Sequence, residues 1–352
     1  MQQPTYDEQI TMKNEMKLRE LLCRTSSFFV KNFFRGIEPT TSSRTRIAYA
    51  YDLKIFFHFL QEKYPDIEES DLKNWPVTVL DKVTLTQLEE YLDYLRLYED
   101  AENKVHTNEE RGRMRKTASI RTFYKFFYRK QVIKNNTASL LNLPKKHEHT
   151  IVRLEIDEIA KLLDAVEEGD NLTKSQKKYH NKTKIRDLAI LTLLLGTGIR
   201  VSECVGLDLN DVDFKNNGIT VTRKGGNQMV VYFGDEVALA LKNYINGDRK
   251  AMTPLPGHEN ALFLSTQRKR MGVQAVENMV RKYAKQVTPY KKITPHKLRS
   301  TYGTSLYKET GDIYLVADVL GHKDVNTTKK HYAAIDEDRR RQAASAVKLR
   351  ES

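Results

Sequence analysis

The segment from Ile185 to Leu195 constrains the fold more than any other stretch, because it is almost continuously apolar. Only Arg186, Asp187 and Thr192 interrupt the run, so a helix here is apolar on nearly every side. Such a helix is either buried inside a domain or crosses a membrane. The run is much shorter than the roughly 20 residues that a membrane span needs. The sequence therefore predicts a buried central helix with other elements packed around it.

The balance of charge points to the kind of partner. The chain has 352 residues, with 59 lysines and arginines against 46 acidic residues, so its net charge is +13. A basic chain favours a polyanionic partner, since bound phosphates release counterions. The alternative is a basic protein that has no such partner.

The compartment is indicated by what the sequence lacks. Its two cysteines, Cys23 and Cys204, are too few for a disulfide framework, so a reducing compartment is the default. No apolar stretch reaches the length of a membrane span, and the N-terminus is too polar for a signal peptide. We expect a cytoplasmic protein that does not contact membranes.

The first part of the chain predicts a helical domain that binds DNA. Basic and aromatic residues interleave between Glu109 and Gln131, which is typical of a helix lying along or in a DNA groove. The alternative is a core helix with a solvated face. The stretch from Glu99 to Asn108 is polar and is predicted to be a loop. The candidate DNA-binding residues are Arg111, Arg113, Arg115, Lys116, Arg121 and Lys125.

A second domain follows a linker that ends in a run of charge, which places the boundary between residues 148 and 149. Residues 171–184 are polar and rich in lysine, and we interpret them as an insertion before the central helix. The sequence period changes at residues 218–222 and 228–233, which are predicted to be two strands joined as a hairpin by residues 223–227. The predicted fold class is mainly α, with a helical N-terminal domain and an α-rich second domain that contains a small antiparallel sheet.

Two groups of polar residues lie near these elements. A glycine ends the central helix and Thr197 is predicted to cap the next, which puts Arg200 in a first turn whose N–H groups favour phosphate. Glu203 shares its face and could orient a guanidinium or an imidazole; the alternative is a surface ion pair. Lys224 is predicted at the hairpin tip, where it either reaches a neighbouring site or is solvated.

The segment from Thr294 to Tyr332 holds a third group. Thr294 and Pro295 are predicted to begin a helix that carries His296 and Arg299 on one face. Gly321 is predicted to close a later helix and to hold His322 on the turn beyond it. A further short helix carries Tyr332. Two histidines, an arginine and a tyrosine could therefore converge on an anion.

These residues, in their order, resemble the tyrosine recombinase family, which comprises integrases and Xer-type recombinases. Residues 197–203 are similar to the first arginine motif of the family, and His296-x-x-Arg299 is similar to its second box. In the family the nucleophilic tyrosine usually follows the late histidine by nine positions. Here His331 occupies that position, and Tyr332 stands one residue later. The corresponding site residues are Arg200, Glu203, Lys224, His296, Arg299, His322 and Tyr332.

The resemblance implies a site-specific DNA recombinase that cleaves and rejoins DNA through a 3′-phosphotyrosine. Tyr332 is then the nucleophile, Lys224 the general acid and His296 the general base, while Arg200, Arg299 and His322 stabilise the phosphate. It further implies a core-binding domain over residues 1–148, a catalytic domain over 149–352, and a C-terminal tail helix that joins a homo-tetramer on two DNA duplexes. No separate arm-binding domain is expected.

Neither a cofactor nor a metal is expected for this chemistry. His296, His322 and His331 lack zinc-site spacing and have no nearby cysteine. Two alternatives remain open, a nicking and resealing enzyme like the type IB topoisomerases and a DNA-binding regulator on a recombinase fold. The sequence leaves open whether the biological role is integration and excision of a mobile element, inversion, or Xer-like resolution.

Overall fold

The computed structural model describes residues 5–25, 27–100, 104–142, 152–223, 226–321 and 325. The chain forms two compact units, Met1–His149 and Thr150–Ser352. Both units are mainly helical and contain small antiparallel sheets, which confirms the predicted fold class. Lys224, His322, Tyr332 and the predicted tail helix lie outside the described residues.

In its described residues, the first unit consists of helices and one two-stranded antiparallel sheet. The predicted loop is wrong at Glu99 and at Val105–Thr107, because these residues belong to that sheet, in which Leu97 pairs with Thr107. The Tyr98 ring stacks on the His106 ring at 5.2 Å between centroids, which holds the two strands together. Strands this short show no readable alternation in the sequence.

The helices and strands of the first unit are α1 (Tyr6–Thr25), α2 (Phe28–Ile37), α3 (Ser43–Lys63), α4 (Val79–Lys82), α5 (Leu85–Tyr94), β1 (Leu97–Glu99), β2 (Val105–Thr107) and α6 (Glu110–Arg129).

The core of this unit is built from aromatic rings. Phe33 of α2 lies edge-on to Phe123 and Phe126 of α6, with ring centroids 4.9 and 5.3 Å apart. Gly36 permits this approach, since a Cβ there would lie 2.3 Å from Phe126 Cε2. Edge-to-face pairs add about 0.5–1.5 kcal/mol each to the stabilisation from burial. The apolar face of α6 therefore packs in the core of this unit.

The second unit is organised around one long helix, which confirms the predicted central helix. This helix, α8, packs against α7, α10 and α12. Its sequence between Ala189 and Leu194 is buried. The elements are α7 (Ile156–Glu168), α8 (Lys174–Thr197), α9 (Val201–Gly206), β3 (Val212–Asp213), β4 (Gly218–Thr222), β5 (Gln228–Tyr232), α10 (Asp235–Tyr244), α11 (Val273–Val287), α12 (Pro295–Thr310) and α13 (Ile313–Leu320).

The polar stretch before the apolar run is not an insertion, because α8 begins already at Lys174. A reciprocal cap starts it, in which Thr173 Oγ1 accepts from the Gln176 N–H and the Gln176 side chain accepts from the Thr173 N–H. The ring of His180 bonds to the carbonyl of Val166 at 2.8 Å and ties this polar half to α7.

The charges that interrupt the apolar run are paired inside the unit. Asp187 is buried, and its carboxylate accepts from Arg186 at 2.6 Å and from Thr183 and Tyr283 at 3.1 Å each. Lys282 Nζ lies 3.4 Å away, and burial lowers the pKa of that amine. A buried carboxylate without such partners is strongly destabilising. These contacts explain how an apolar helix accommodates Arg186 and Asp187.

The predicted hairpin is confirmed as β4 and β5. Ile219 lies opposite Val231 and Thr222 opposite Gln228. A third, unpredicted strand, β3, pairs with β4 on its other edge. At the far end of the hairpin the Arg223 N–H donates to the carbonyl of Asn227 at 2.7 Å.

Candidate active site

The connection from α8 to α9 positions the first arginine. Gly198 takes the left-handed conformation, with φ of 63°, and ends α8. Thr197 does not cap α9 as predicted, because it is the last residue of α8 and its hydroxyl donates to the carbonyl of Leu193. Arg200 is itself the N-cap residue of α9 rather than part of its first turn.

Glu203 holds this arginine in place. Its carboxylate accepts from the backbone N–H of Arg200 at 2.8 Å and from Nη1 of the same residue at 2.7 Å. The Glu203 side chain is 3% exposed, whereas the Arg200 side chain is 36% exposed. The pair is therefore not the surface ion pair that the sequence left open, since one partner is buried. A second guanidinium, that of Arg223, lies 3.7 Å from the same carboxylate.

Helix α12 carries the second predicted arginine. Thr294 is the N-cap residue and Pro295 the first helical residue, as predicted. His296 is exposed in the first turn, while Arg299 is buried one turn later. The guanidinium of Arg299 donates through Nη1 to the carbonyl of Gly198 at 2.5 Å. Arg299 thereby links α12 to the turn that positions the first arginine.

The C-terminal end of α13 is where the guanidinium groups meet. Arg299 Nη2 donates to the carbonyl of Leu320, and Arg200 Nη2 lies 3.4 Å from the carbonyl of Gly321. Gly321 has the predicted left-handed conformation, with φ of 59°. The last carbonyls of a helix lack partners within the helix and carry partial negative charge, so cations are stabilised there.

Arg223 also donates to this helix end, and the sequence analysis did not identify it. Its Nη1 bonds to the carbonyl of Leu320 at 2.9 Å, and its Nη2 bonds to that of Val319 at 2.8 Å. Burial lowers the pKa of its guanidinium, and the nearby Glu203 opposes that effect. The sequence nevertheless contains a signal that the side chain of Arg223 points into the protein. Side chains alternate along a strand, so Arg223 continues the face of β4 that buries Ile219 and Val221.

The site thus gathers three arginines at one helix end, and two of them, Arg200 and Arg223, flank one buried carboxylate. Guanidinium groups remain charged and present several N–H donors in a plane, which suits them to phosphate oxygens. The arrangement can bind a phosphodiester and stabilise the negative charge that forms when it is attacked.

Comparison with known proteins identifies the family. The sequence model of the phage integrase family matches residues 152–339. The chain is also 32% identical over 325 residues to the tyrosine recombinase XerC of Caldanaerobacter subterraneus subsp. tengcongensis, an alignment that covers 89% of this chain and 84% of the relative. The chain belongs to the phage integrase family. It is a tyrosine-type site-specific DNA recombinase, as the resemblance implied.

The chain is also similar to other tyrosine recombinases in sequence and in fold. The tyrosine recombinase XerD of Oceanobacillus iheyensis is 27% identical, with 86% of this chain and 92% of the relative covered. Two solved structures share the fold. A XerH site-specific recombinase bound to palindromic difH substrate has a TM-score of 0.66 at 16% identity, over 95% of this chain and 88% of the other. The Tn1549 transposon integrase has a TM-score of 0.61 at 19% identity, over 87% and 95%.

Of the seven predicted catalytic residues of this recombinase, the structure describes four. Arg200, Glu203 and Arg299 are brought together, and His296 is exposed on the same helix as Arg299. The remaining three lie outside the described residues. Their chain neighbours are informative, because Lys224 follows Arg223 directly and His322 follows Gly321 directly.

Thiols and metal-binding side chains are the other groups with catalytic chemistry in this chain. Cys204 is buried, and this burial raises the pKa of its thiol to about 12, which makes it a poor nucleophile. Within the described ranges, no group of three or more histidine, cysteine, aspartate or glutamate side chains is arranged to hold a metal ion. No helix in those same ranges is long and apolar enough to cross a membrane.

The predicted DNA-binding residues of α6 differ in their exposure. Arg111 and Lys125 are exposed, while Arg113 and Arg121 are half-buried. Arg115 is exposed but donates to the buried carboxylate of Asp52 at 2.5 Å.

Lys116 differs from the other basic residues of α6 because it is buried. Its Nζ donates to Asn108 Oδ1 at 2.7 Å, and burial lowers the pKa of the amine. Lys116 is therefore placed to hold α6 to its own unit rather than to face a partner.

Proposed function

We propose that this recombinase cleaves DNA with Tyr332 and that Arg200 and Arg299, which meet at the end of α13, bind the phosphodiester under attack. The convergence of Arg200 and Arg299 on that helix end is the observation that carries the proposal. His322 follows this helix end in the chain, and Tyr332 lies ten residues beyond it.

The chemistry needs an activated phosphate. A tyrosine hydroxyl has a pKa near 10 and is a weak nucleophile at neutral pH. Attack of its Oη on phosphorus forms the P–O bond to tyrosine and breaks the bond to the 5′ oxygen, leaving a 3′-phosphotyrosine. Arg200, Arg299 and His322 stabilise the charge on the nonbridging oxygens more strongly in the transition state than in the ground state.

Two proton transfers complete the step. His296 takes the proton of the tyrosine hydroxyl, a role that its exposure on α12 permits. Lys224 gives a proton to the departing 5′ oxygen, which is otherwise a poor leaving group. The covalent intermediate retains the energy of the broken bond, so attack by the 5′-hydroxyl of another strand reseals the DNA without ATP.

The test is the capture of a covalent adduct. A binding site is first selected from a pool of random DNA duplexes, and the protein is then incubated with that duplex carrying a nick that traps the intermediate. We expect a protein–DNA adduct that resists denaturation, and strand exchange when two sites are supplied. Site-selective binding without an adduct would instead indicate a regulator. An adduct with supercoil relaxation but no exchange would indicate an enzyme of the topoisomerase type.

The first unit is proposed to hold the DNA through the exposed part of α6. We expect Lys125→Gln to reduce affinity for DNA and to lower the slope of log affinity against log salt concentration by about one, because one phosphate contact is lost. The control is Lys63→Gln, an exposed lysine of α3 in the same unit that pairs with Glu62. Equal slopes for the two variants would exclude Lys125 from the interface.

The active assembly is proposed to be a homo-tetramer on two duplexes, joined by the C-terminal tail. The support is the small apolar stripe Ala343, Ala344, Ala346 and Val347, together with the tail of similar proteins. We expect truncation after Asp338 to abolish cooperative assembly on DNA with two sites while binding to a single site persists. Mass photometry of the complexes measures both, and unchanged cooperativity would contradict a docking role for the tail.

A further inference from the structure

Arg223 forms contacts that the reaction as described does not use. It stands at the end of β4, its side chain is only 10% exposed, and it donates to two consecutive carbonyls of α13. Burying a guanidinium is unfavourable unless its charge and N–H groups are compensated. The carbonyls of Val319 and Leu320 and the carboxylate of Glu203 supply most of that compensation.

The geometry of these bonds makes Arg223 a link between two elements. The two Nη atoms reach adjacent carbonyls in the last turn of α13, so the planar group fixes both the distance and the orientation of the hairpin end. The contact is tight, since a Cβ on Gly321 would lie 2.7 Å from Arg223 Nη1. A side chain at position 321 would therefore displace the guanidinium.

Glu203 extends the link to the first arginine. Its Oε1 atom lies 2.7 Å from Arg200 Nη1 and 3.7 Å from Arg223 Nη1, so one buried carboxylate is shared by two guanidiniums. The end of the hairpin, the start of α9 and the end of α13 are thus joined through charged groups. Arg200 is partly exposed and available to a ligand, whereas Arg223 is directed at protein atoms.

We propose that Arg223 is a positioning residue for Lys224, the residue that follows it in the chain. The inference rests on the proposed function, in which Lys224 protonates the 5′ oxygen. Because Arg223 precedes Lys224 in the chain, fixing its guanidinium on α13 restricts where the hairpin tip can place the lysine amine. Proton transfer requires donor and acceptor within hydrogen-bond reach, so a small displacement of the tip slows the step strongly.

A lysine at position 223 does not reproduce this link. An ammonium group is a point charge on a flexible stem, while a guanidinium bonds to two acceptors in a fixed plane. Arg223→Lys retains the buried charge beside Glu203 but loses the fixed orientation. Arg223→Met retains much of the apolar stem but loses both the buried charge and the fixed orientation. The two variants therefore separate the charge from the geometry.

A sulfur substitution in the DNA isolates the proton-transfer step. When the 5′-bridging oxygen is replaced by sulfur, the leaving group departs as a thiolate and needs no proton. Defects in general-acid catalysis are then relieved, whereas defects in folding, DNA binding or phosphate activation persist. The readout is the ratio of cleavage rates on sulfur-bridged and oxygen-bridged DNA, measured with saturating protein.

The variants are expected to differ in how much the sulfur substrate restores their cleavage rates. Lys224→Ala slows cleavage of ordinary DNA about 100-fold or more, and the sulfur substrate restores most of the rate. Arg223→Met slows ordinary DNA roughly 10- to 100-fold with similar relief by sulfur, and Arg223→Lys shows a smaller defect of the same kind. Adding Arg223→Met to Lys224→Ala produces little further loss, because both changes act on one step.

Controls separate the ways in which the proposal can fail. Arg281→Met, at an exposed position of α11, leaves the ratio unchanged. Relief for Lys224→Ala but equal slowing of both substrates by Arg223→Met and Arg223→Lys would overturn the role of Arg223 alone. Absence of relief for Lys224→Ala would overturn the general acid itself and, with it, the positioning role. Thermal unfolding of each variant establishes that the compared proteins are folded.

Discussion

Replacing Tyr332 with phenylalanine is expected to abolish the covalent adduct while the protein still binds its DNA. Phenylalanine lacks the oxygen that forms the bond to phosphorus and is otherwise nearly the same size, so binding and folding are preserved. Loss of a nucleophile removes the whole covalent pathway, and we expect cleavage to fall by more than about 10³-fold. The measurement is denaturing electrophoresis of the protein with nicked site DNA, alongside a binding assay.

The matched control is Tyr314→Phe. Tyr314 is an exposed tyrosine on α13, close in the chain to the site but not assigned to it. An adduct that survives in Tyr332→Phe would show that another residue is the nucleophile. The identity of the nucleophile matters here because Tyr332 follows His322 by ten positions, and His331 occupies the position where the family usually has its tyrosine. Peptide mapping of the native adduct identifies the attached residue directly.

Arg299→Lys is expected to produce the second large effect, on both cleavage and stability. Two N–H groups of Arg299 bond to the carbonyls of Gly198 and Leu320, and an ammonium cannot satisfy both in the same geometry. A buried acceptor left without its donor costs about 1–3 kcal/mol. Loss of one preorganised donor at the phosphate slows cleavage about 10²- to 10³-fold.

The comparison that separates these two effects is Arg200→Lys. The Arg200 side chain is 36% exposed, so we expect a similar loss of cleavage with a smaller loss of stability. Adduct formation and denaturant unfolding are measured on the same preparations. If Arg299→Lys unfolds more easily but cleaves at the rate of the native protein, then Arg299 supports the fold and does not act on the phosphate.

Features that depend on neighbouring residues in the chain were predictable. Pro295 at the first position of α12 and the left-handed Gly321 after α13 follow from local backbone preferences. The hairpin of β4 and β5 follows from two short strand-like segments joined by a glycine-containing turn, and the central helix follows from its apolar run. These signals are local, so no knowledge of the tertiary structure was needed to recognise them.

Features that depend on packing were missed or misassigned. Thr197 has the residue type of a helix cap, yet its hydroxyl bonds within α8 and leaves Arg200 to begin α9. Lys116 belongs by sequence to the basic run of α6, but it faces Asn108 and is buried. The sequence shows that a side chain is charged but not whether it points to solvent or into the protein. A long side chain on an amphipathic helix can be oriented toward either face.

The sequence by itself determined the types and the order of the residues on which the recombinase chemistry depends. Only the tertiary structure decided that Arg200, Arg223 and Arg299, which come from three separate elements, meet at the end of α13, and that two of them, Arg200 and Arg223, share the carboxylate of Glu203. The physical reason is that a buried guanidinium is stable only where acceptors converge on it. Those acceptors are backbone carbonyls, which every residue carries, so no pattern of side chains identifies them before the chain folds.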